Sequence, residues 1–318
     1  MIYDLAIVGG GPAGVAAGVY AARKQLKTVF ITKDFDGQSA VSMDVQNWIG
    51  TVSLTGGELA KNLENHLRAY AGKFIDIKTS EWVKQIEKAG KDFSIKTDKN
   101  NYSARAILVT AGSSRKKLEA KGAKEFDNKG LTYCASCDGP LFSDMDVAVI
   151  GAGNAAFDTA AQLLAYCKSV TLLAHHDFKA DSVTIEKTLA NPKFKAFKNT
   201  EILEIKGDKF VSGIIYKNRE TEEKTEFKVK GIFVEIGSIP NTDFVKNLVK
   251  LDKWNHIVVD PKNQTASEKG VWAAGDCTDG LYHQNNIAAG DAVKALEDIY
   301  LLLHKLSPSH VQNKIPTD

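Results

Sequence analysis

Cysteine is scarce in this chain: four in 318 residues, alongside three methionines and seven prolines. So few cannot make the disulfide framework that holds small secreted domains together. A charge excess of one sign is missing too. Lys and Arg number 41 against 39 Asp and Glu, a formal net charge of +2, so no basic face for nucleic acid or for an anionic membrane is expected. No apolar run reaches the roughly 20 residues that span a bilayer. The start, Met1-Ile2-Tyr3-Asp4, has neither a basic stretch nor a small-residue cleavage site, so no signal peptide is expected and the cytoplasm is the expected home. What remains, 43% hydrophobic and 25% charged, is an ordinary globular composition with room for two or three domains.

Against that plain background two glycine-rich turns stand out. Residues 3–8 form a short apolar run, 12–24 read as an Ala-rich helix with Pro at its start, and 28–32 as a second strand. Between the first strand and the helix lies Gly9-Gly10-Gly11-Pro12-Ala13-Gly14. A GxGxxG turn carries meaning in that context: the first glycine permits the tight turn, the second lets backbone approach a pyrophosphate, and the third lets helix pack on sheet. The helix N-terminus then faces the phosphates. The pattern recurs with a strand over 146–150, a helix over 154–166 and a strand over 169–173, around Gly151-Ala152-Gly153-Asn154-Ala155-Ala156. Runs at 107–112 and 231–237 read as the closing strand of each unit, and an amphipathic helix is expected over 288–306, with a frayed tail after Ser307. The fold class is therefore α/β with two Rossmann-like dinucleotide folds. Boundaries fall in the polar stretches 113–118 and 241–244, giving segments 1–115, 116–243 and 244–318.

Between the two turns lies Cys134-Ala135-Ser136-Cys137-Asp138-Gly139-Pro140. A close dithiol can cycle to a disulfide by moving two electrons. A zinc site is the structural rival, but Cys167 and Cys277 form no second CxxC and no His stands at ligand spacing. Inert core cysteines are the other alternative for the pair, and packing is the expected role of Cys167 and Cys277. Asp138 reads as a proton carrier for the thiols, if burial raises its pKa, or as an N-cap, and the two roles can coexist.

With these motifs in this order, the chain resembles the low-molecular-weight thioredoxin reductases, and most closely the reductase part of the flavoprotein subunit of alkyl hydroperoxide reductase. Gly37-Gln38, Asn47-Trp48-Ile49-Gly50, Thr110-Ala111-Gly112, the second turn, Gly237 through Asn241 and Ala274-Gly275-Asp276-Cys277-Thr278 complete the resemblance, which covers essentially the whole chain. It implies an FAD domain built from the first and last segments, with an inserted NAD(P)-type domain carrying Cys134 and Cys137. Gly9, Gly11, Pro12, Ala13 and Gly14 are then expected at the FAD pyrophosphate, and Gly37, Gln38, Asn47, Thr110, Ala111 and Gly112 along the cofactor. Gly275 and Asp276 are expected at the ribityl chain, where a simple turn cap is the alternative for Asp276. Gln284, Asn285 and Ala289, at the start of the last helix, are expected near the flavin pyrimidine edge. The acid usual after the second strand is missing; Thr32-Lys33 stand there and Asp34 follows. The resemblance also implies a homodimer, a thioredoxin or thioredoxin-like dithiol partner that is a separate protein, and rotation of the inserted domain.

The donor segment departs from the family. NADPH-dependent relatives carry adjacent arginines after the second strand of the inserted domain, and an NADH site usually carries an acid. Here Ala174-His175-His176-Asp177-Phe178-Lys179 stand there. Histidines mostly neutral at pH 7 offer no bidentate fork, so weak NADPH binding is expected unless Lys179 and a protonated His175 or His176 compensate. Gly151, Gly153, Asn154, Ala155 and Ala156 would hold the pyrophosphate of NADH or NADPH. A protein donor such as reduced ferredoxin or flavodoxin is the other reading, and the histidine pair reads equally as an exposed loop. A small-molecule dithiol oxidase using oxygen and a redox-sensing FAD-binding module are the alternatives to a disulfide reductase, and a ferredoxin–nucleotide reductase is disfavoured because it needs no CxxC.

Overall fold

The computed structural model describes residues 1–42 and 44–305, which form two compact units. The first comprises Met1–Val41, Trp48–Ser114 and the chain from Ile239 onward, and the second Ser42–Asn47 and Arg115–Ser238.

The first unit opens with β1 (Ile2–Val8), α1 (Pro12–Arg23) and β2 (Thr28–Ile31), followed by α2 (Gly56–Ala71), β3 (Ile75–Lys78), β4 (Val83–Ala89), β5 (Asp92–Thr97) and β6 (Asn101–Val109). The parallel order is β3-β2-β1-β6, and the far edge of β6 is shared by the antiparallel β5–β4 hairpin and a later strand. Side chains along β1 alternate between two cores. Leu5 and Ile7 join Val15, Phe30, Leu67 and Leu296 on one face, while Ala6 and Val8 join Val29, Ile95, Ile107 and Val109 on the other. A strand with period-two side chains and both faces covered must be apolar throughout, as this one is. The α2 start is held by a capping box between Thr55 and Glu58, an arrangement worth about 1 kcal/mol.

The chain leaves the first unit through β7 (Ser113–Arg115). The second unit contains β8 (Leu131–Thr132), α3 (Ala135–Asp138), β9 (Asp146–Ile150), α4 (Asn154–Leu163), β10 (Ser169–Leu173), α5 (Ser182–Leu189) and β11 (Phe194–Phe197), then a meander of β12 (Thr200–Gly207), β13 (Val211–Asn218) and β14 (Lys224–Phe227), and finally β15 (Gly231–Val234). Its parallel sheet runs β11-β10-β9-β15-β8. Val147 and Val149 face one core with Phe157, and Ala148 and Ile150 face another with Ile214. Phe157 is fully buried, which stabilises this unit by roughly 1.5–3 kcal/mol. The return strand β16 (Ser238–Pro240) pairs with β7, and β17 (Val271–Ala273) and α6 (Asn285–Leu303) complete the first unit, with β17 parallel to β6.

Several expected bounds shift. The helix expected over 154–166 stops at Leu163, where the backbone tightens into a turn of i to i−3 bonds: the Ala165 N–H donates to the Gln162 carbonyl and the Tyr166 N–H to the Leu163 carbonyl, each at 3.2 Å, and the Tyr166 carbonyl accepts from the Asp144 N–H at 3.0 Å. The strands expected over 107–112 and 231–237 end at Val109 and Val234, since the backbone turns to φ +63° at Gly112 and +108° at Gly237. The last helix begins at Asn285 rather than 288, because extended Gln284 already caps it and accepts from the Ala288 N–H at 2.9 Å. Leu306 and the tail after Ser307 lie outside the described residues.

Candidate functional site

In the first unit the glycine turn is built by close approach. A Cβ on Gly14 would lie 1.9 Å from the Gly9 carbonyl oxygen, and one on Gly9, at φ +118°, would lie 2.2 Å from the Thr110 carbonyl oxygen. The Thr110 hydroxyl sits 2.9 Å from the Val8 carbonyl oxygen and 3.2 Å from that of Gly9, locking the two strand ends together. Gly11 differs: nothing lies within 4 Å of where its Cβ would be. It is also the N-cap of α1, with no capping side chain, no acid in the first turn, and Pro12 at the helix start. An open glycine in front of uncapped helix N–H groups is an anion receptor. The residues present therefore fit a dinucleotide pyrophosphate.

Around this turn the structure gathers segments far apart in sequence. Gln38 Nε2 donates to Asp276 Oδ2 at 3.2 Å and to the Ser113 hydroxyl at 3.1 Å. Asn285 Nδ2 donates to the Ser39 hydroxyl at 2.9 Å. A Cβ on Gly275, at φ +78°, would touch Ala288 and Ala13, so this turn wedges between the starts of α1 and α6. Asn241 Nδ2 donates to the Ala111 carbonyl and its N–H to that of Gly112, at 2.9 and 3.0 Å. The backbone of Asp34 packs on Gly10. Of the other expected residues, Gly37 is exposed, Gln284 precedes α6, and Ala289 lies in its first turns, half-buried. Asn47 belongs to the short segment that clusters with the second unit.

The second unit holds the cysteines. Cys134 and Cys137 form a disulfide with Cα atoms 5.3 Å apart. Cys134 is the N-cap of α3, its sulfur accepting the Cys137 N–H at 3.2 Å. Asp138 closes α3 and stands at the N-cap position of the short 3-10 turn Gly139–Phe142, but its side chain makes no capping hydrogen bond there. Its carboxylate instead accepts from the Thr132 hydroxyl and, at 3.3 Å, from the Ser42 hydroxyl. Burial pushes the Asp138 pKa above the usual carboxylate range, a rise only partly offset by the two hydroxyls. The α3 turn is braced from behind, with Ser136 bonded to Gln162 at 3.2 Å and Gly139 packed against the Tyr166 hydroxyl. Beside Asp138 and Thr132 opens a cleft of about 800 Å³ lined by Leu141, Phe142, Met145 and Phe210. Among the described residues no three metal-ligating side chains cluster. Cys167 and Cys277 are free and buried, and burial raises both thiol pKa values, to about 11 and about 12.

The second glycine turn repeats the first. A Cβ on Gly151 would lie 2.4 Å from the Glu235 carbonyl oxygen and 2.8 Å from Ala156 Cβ, whereas Gly153, the uncapped start of α4, faces open space. Asn154 and Ala155 are exposed at the helix start, and Asn154 Oδ1 accepts from the Asp181 N–H at 2.9 Å. The Lys179 N–H donates to the Ala152 carbonyl at 2.7 Å, bringing the 174–179 loop back onto the turn. His175 Nδ1 lies 3.1 Å from the Thr200 carbonyl oxygen, and its ring meets His176 edge-on. His176 is fully exposed, with its pKa lowered by what desolvation it has and by the neighbouring His175, Arg219 and Lys179.

Two residues here escaped the sequence reading. Arg219, in the β13–β14 turn, donates Nη1 to the His175 carbonyl at 3.2 Å. Glu235 follows β15, accepts from the Thr159 hydroxyl at 2.9 Å, lies 3.9 Å from Arg115, and has its pKa raised by burial to about 7. The acid within the run Gly231-Ile232-Phe233-Val234-Glu235-Ile236 was a visible signal; nothing local marked Arg219.

Geometry and sequence agree on the class. The chain belongs to the pyridine nucleotide-disulphide oxidoreductase family, whose pattern it matches over residues 3–294. Membership implies FAD and a flavoprotein disulfide reductase. Among proteins it resembles, the "NADH dehydrogenase" of Bacillus subtilis (strain 168) is 37% identical over 296 residues, 92% of this chain and 57% of that protein. An alkyl hydroperoxide reductase subunit of Pseudomonas aeruginosa is 35% identical over 296 residues, with the same two coverages. The chain thus spans just over half the length of these curated relatives. The solved thioredoxin reductase from Streptococcus pyogenes MGAS5005 matches with a TM-score of 0.89 at 29% identity, covering 96% of this chain and 99% of that one. No helix among the described residues is long and apolar enough to cross a membrane.

Proposed function

We propose that this chain reduces the disulfide of a thioredoxin-like protein through Cys134 and Cys137, in an FAD-carrying first unit and a nicotinamide-nucleotide-binding second unit. The observation that carries the reading is the Cys134–Cys137 disulfide with the half-buried Asp138 next to Cys137 in the chain, in one unit with a second uncapped glycine turn. Gly9, Gly11 and Gly14 with the start of α1 would hold the FAD pyrophosphate, and Asp276, oriented by Gln38, would meet the ribityl chain. Bound FAD supplies a two-electron couple between a nicotinamide donor and the disulfide.

The work of the chain's own residues begins with the dithiol. One cysteine thiolate attacks a sulfur of the partner's disulfide, forming a mixed disulfide and releasing one partner thiolate. The second cysteine attacks the mixed disulfide, re-forms Cys134–Cys137 and releases the other. Two electrons have then passed to the partner, whose thiolates take up two protons. Asp138, protonated to higher pH than an exposed carboxyl, holds a proton for a departing thiolate. The Cys137 N–H favours a thiolate at Cys134. The apolar cleft beside Asp138 suits a nonpolar side chain flanking the partner's disulfide. The reading includes a homodimer in the cytoplasm, where the pair is kept turning over by reductant.

The test is reduction of an oxidised thioredoxin by the FAD-loaded protein with a nicotinamide donor under anaerobic conditions. Wild type is expected to release two thiols per donor oxidised, and Cys137→Ser none above background. Turnover by Cys137→Ser at the wild-type rate would refute the dithiol mechanism.

A further inference from the structure

We propose that Arg219 completes a site for a phosphorylated ribose at the end of β10, so that the second unit takes the 2′-phosphorylated dinucleotide, NADPH, in preference to NADH. The inference rests on the reading of the second glycine turn as a nicotinamide-nucleotide cradle. In such a fold the residues just after the second strand meet the adenosine ribose: an acid there selects the free 2′-hydroxyl, and a guanidinium selects the 2′-phosphate.

The segment after β10 has one acid, Asp177, and its carboxylate is engaged by Lys198 Nζ at 3.0 Å. That surface ion pair engages one of its carboxylate oxygens. The segment has no arginine of its own. The meander supplies one. The β13–β14 turn is pinned by the Arg219 N–H, which donates to the Asn199 carbonyl at 2.7 Å, and Nη1 then reaches the His175 carbonyl at 3.2 Å. That bond uses one of five guanidinium donors and fixes the plane of the fork. Arg219 makes no ion pair among the described residues, and the adjacent Glu220 carboxylate is taken up by Asn199 Nδ2 at 2.6 Å. Lys179 lies on the same loop, tied through its N–H to the glycine turn. The depressed pKa of exposed His176 leaves that imidazole neutral at pH 7, so Arg219 and Lys179 carry the positive charge. A guanidinium held by one backbone carbonyl and in no ion pair among the described residues, a lysine on the same loop, the one acid of that loop in an ion pair, and an uncapped glycine turn tied to the loop together give the electrostatic pattern of a phosphate-bearing ribose.

The FAD-loaded protein should be titrated calorimetrically with 2′,5′-ADP, 5′-AMP and inorganic phosphate. Wild type is expected to bind 2′,5′-ADP about tenfold or more tightly than 5′-AMP, the range of one charge-assisted bidentate contact. Arg219→Ala should bring the two within about twofold, and Arg219→Lys should retain part of the preference. Unfolding temperatures of both variants should match wild type. In anaerobic flavin bleaching, Arg219→Ala should raise the KM for NADPH and leave that for NADH unchanged. Equal wild-type affinity for the two adenylates would overturn the assignment while leaving the cradle intact, as would a preference that survives Arg219→Ala. Phosphate alone binding as tightly as 2′,5′-ADP would show a bare anion patch and overturn it too. Failure of both adenylates to bind would bring down the cradle reading along with it.

Discussion

Two carboxyls in the second unit are pushed upward by burial, and they are placed for different ends. Asp138 sits beside the redox pair with two hydroxyls on its oxygens. As a proton donor it works below its raised pKa, so dithiol exchange should slow as pH rises through that value. Asp138→Asn removes this limb from the pH–rate profile and lowers the exchange rate by about 10²-fold or more, measured by stopped-flow reoxidation of the reduced protein. Glu235 has no such partner chemistry. Its folded pKa of about 7 exceeds its ordinary value of 4.5, so the folded state binds the proton more tightly than the unfolded chain. Stability is then highest below the unfolded pKa and falls as pH rises through the folded one. Glu235→Gln should raise the unfolding free energy at pH 8 by on the order of 3 kcal/mol, read from denaturant melts, and have little effect at pH 4. An equal shift at both pH values would show that the charge of Glu235 is not what destabilises the fold.

At the scale of elements, each glycine turn contains positions with opposite demands. Gly14 is a packing glycine: its Cβ would fall 1.9 Å from a carbonyl oxygen of the same turn. Gly11 borders open space at φ −74°, which alanine adopts freely. Gly14→Ala should therefore destabilise the apoprotein by about 1–3 kcal/mol. Gly11→Ala should leave apoprotein stability within about 0.5 kcal/mol yet weaken FAD binding, because the new methyl occupies the approach to the uncapped helix N–H groups. Thermal melts of the stripped proteins and flavin absorbance after reconstitution separate the two effects. Apoprotein losses of the same size for both would mean that the open side of Gly11 is not a ligand approach.

At the scale of the whole molecule, the four tryptophans offer a selective probe, since Trp48, Trp82, Trp254 and Trp272 all fall in the first unit. Trp272 is buried in the core that also contains Ala13 and Ala288, the two residues that flank the Gly275 turn. Removing FAD should lower the tryptophan-reported unfolding temperature, and restoring FAD to 100 times its Kd should return about 2.7 kcal/mol. A fluorescence melt indifferent to FAD would contradict assignment of the cofactor to the first unit.

What could be read from the chain was whatever is decided within a few residues. A glycine turn, the strand before it and the helix after it are set by backbone sterics and hydrogen bonds between near neighbours, so both dinucleotide folds and the Cys134–Cys137 pair were legible in one dimension. Helix ends were less so, because α4 gives way after Leu163 to a tighter turn whose Tyr166 carbonyl bonds Asp144, and α6 starts where Gln284 turns extended. The contacts that tune the site were invisible. Arg219 meets His175 across 44 positions, Thr159 meets Glu235 across 76, Ser42 meets Asp138 across 96 and Gln38 meets Asp276 across 238. Local composition determined which chemistry the chain carries. Only tertiary folding decided which side chains surround it, because burial and charge proximity, the sources of the shifted pKa values and of the candidate phosphate site, exist only once distant segments share one volume.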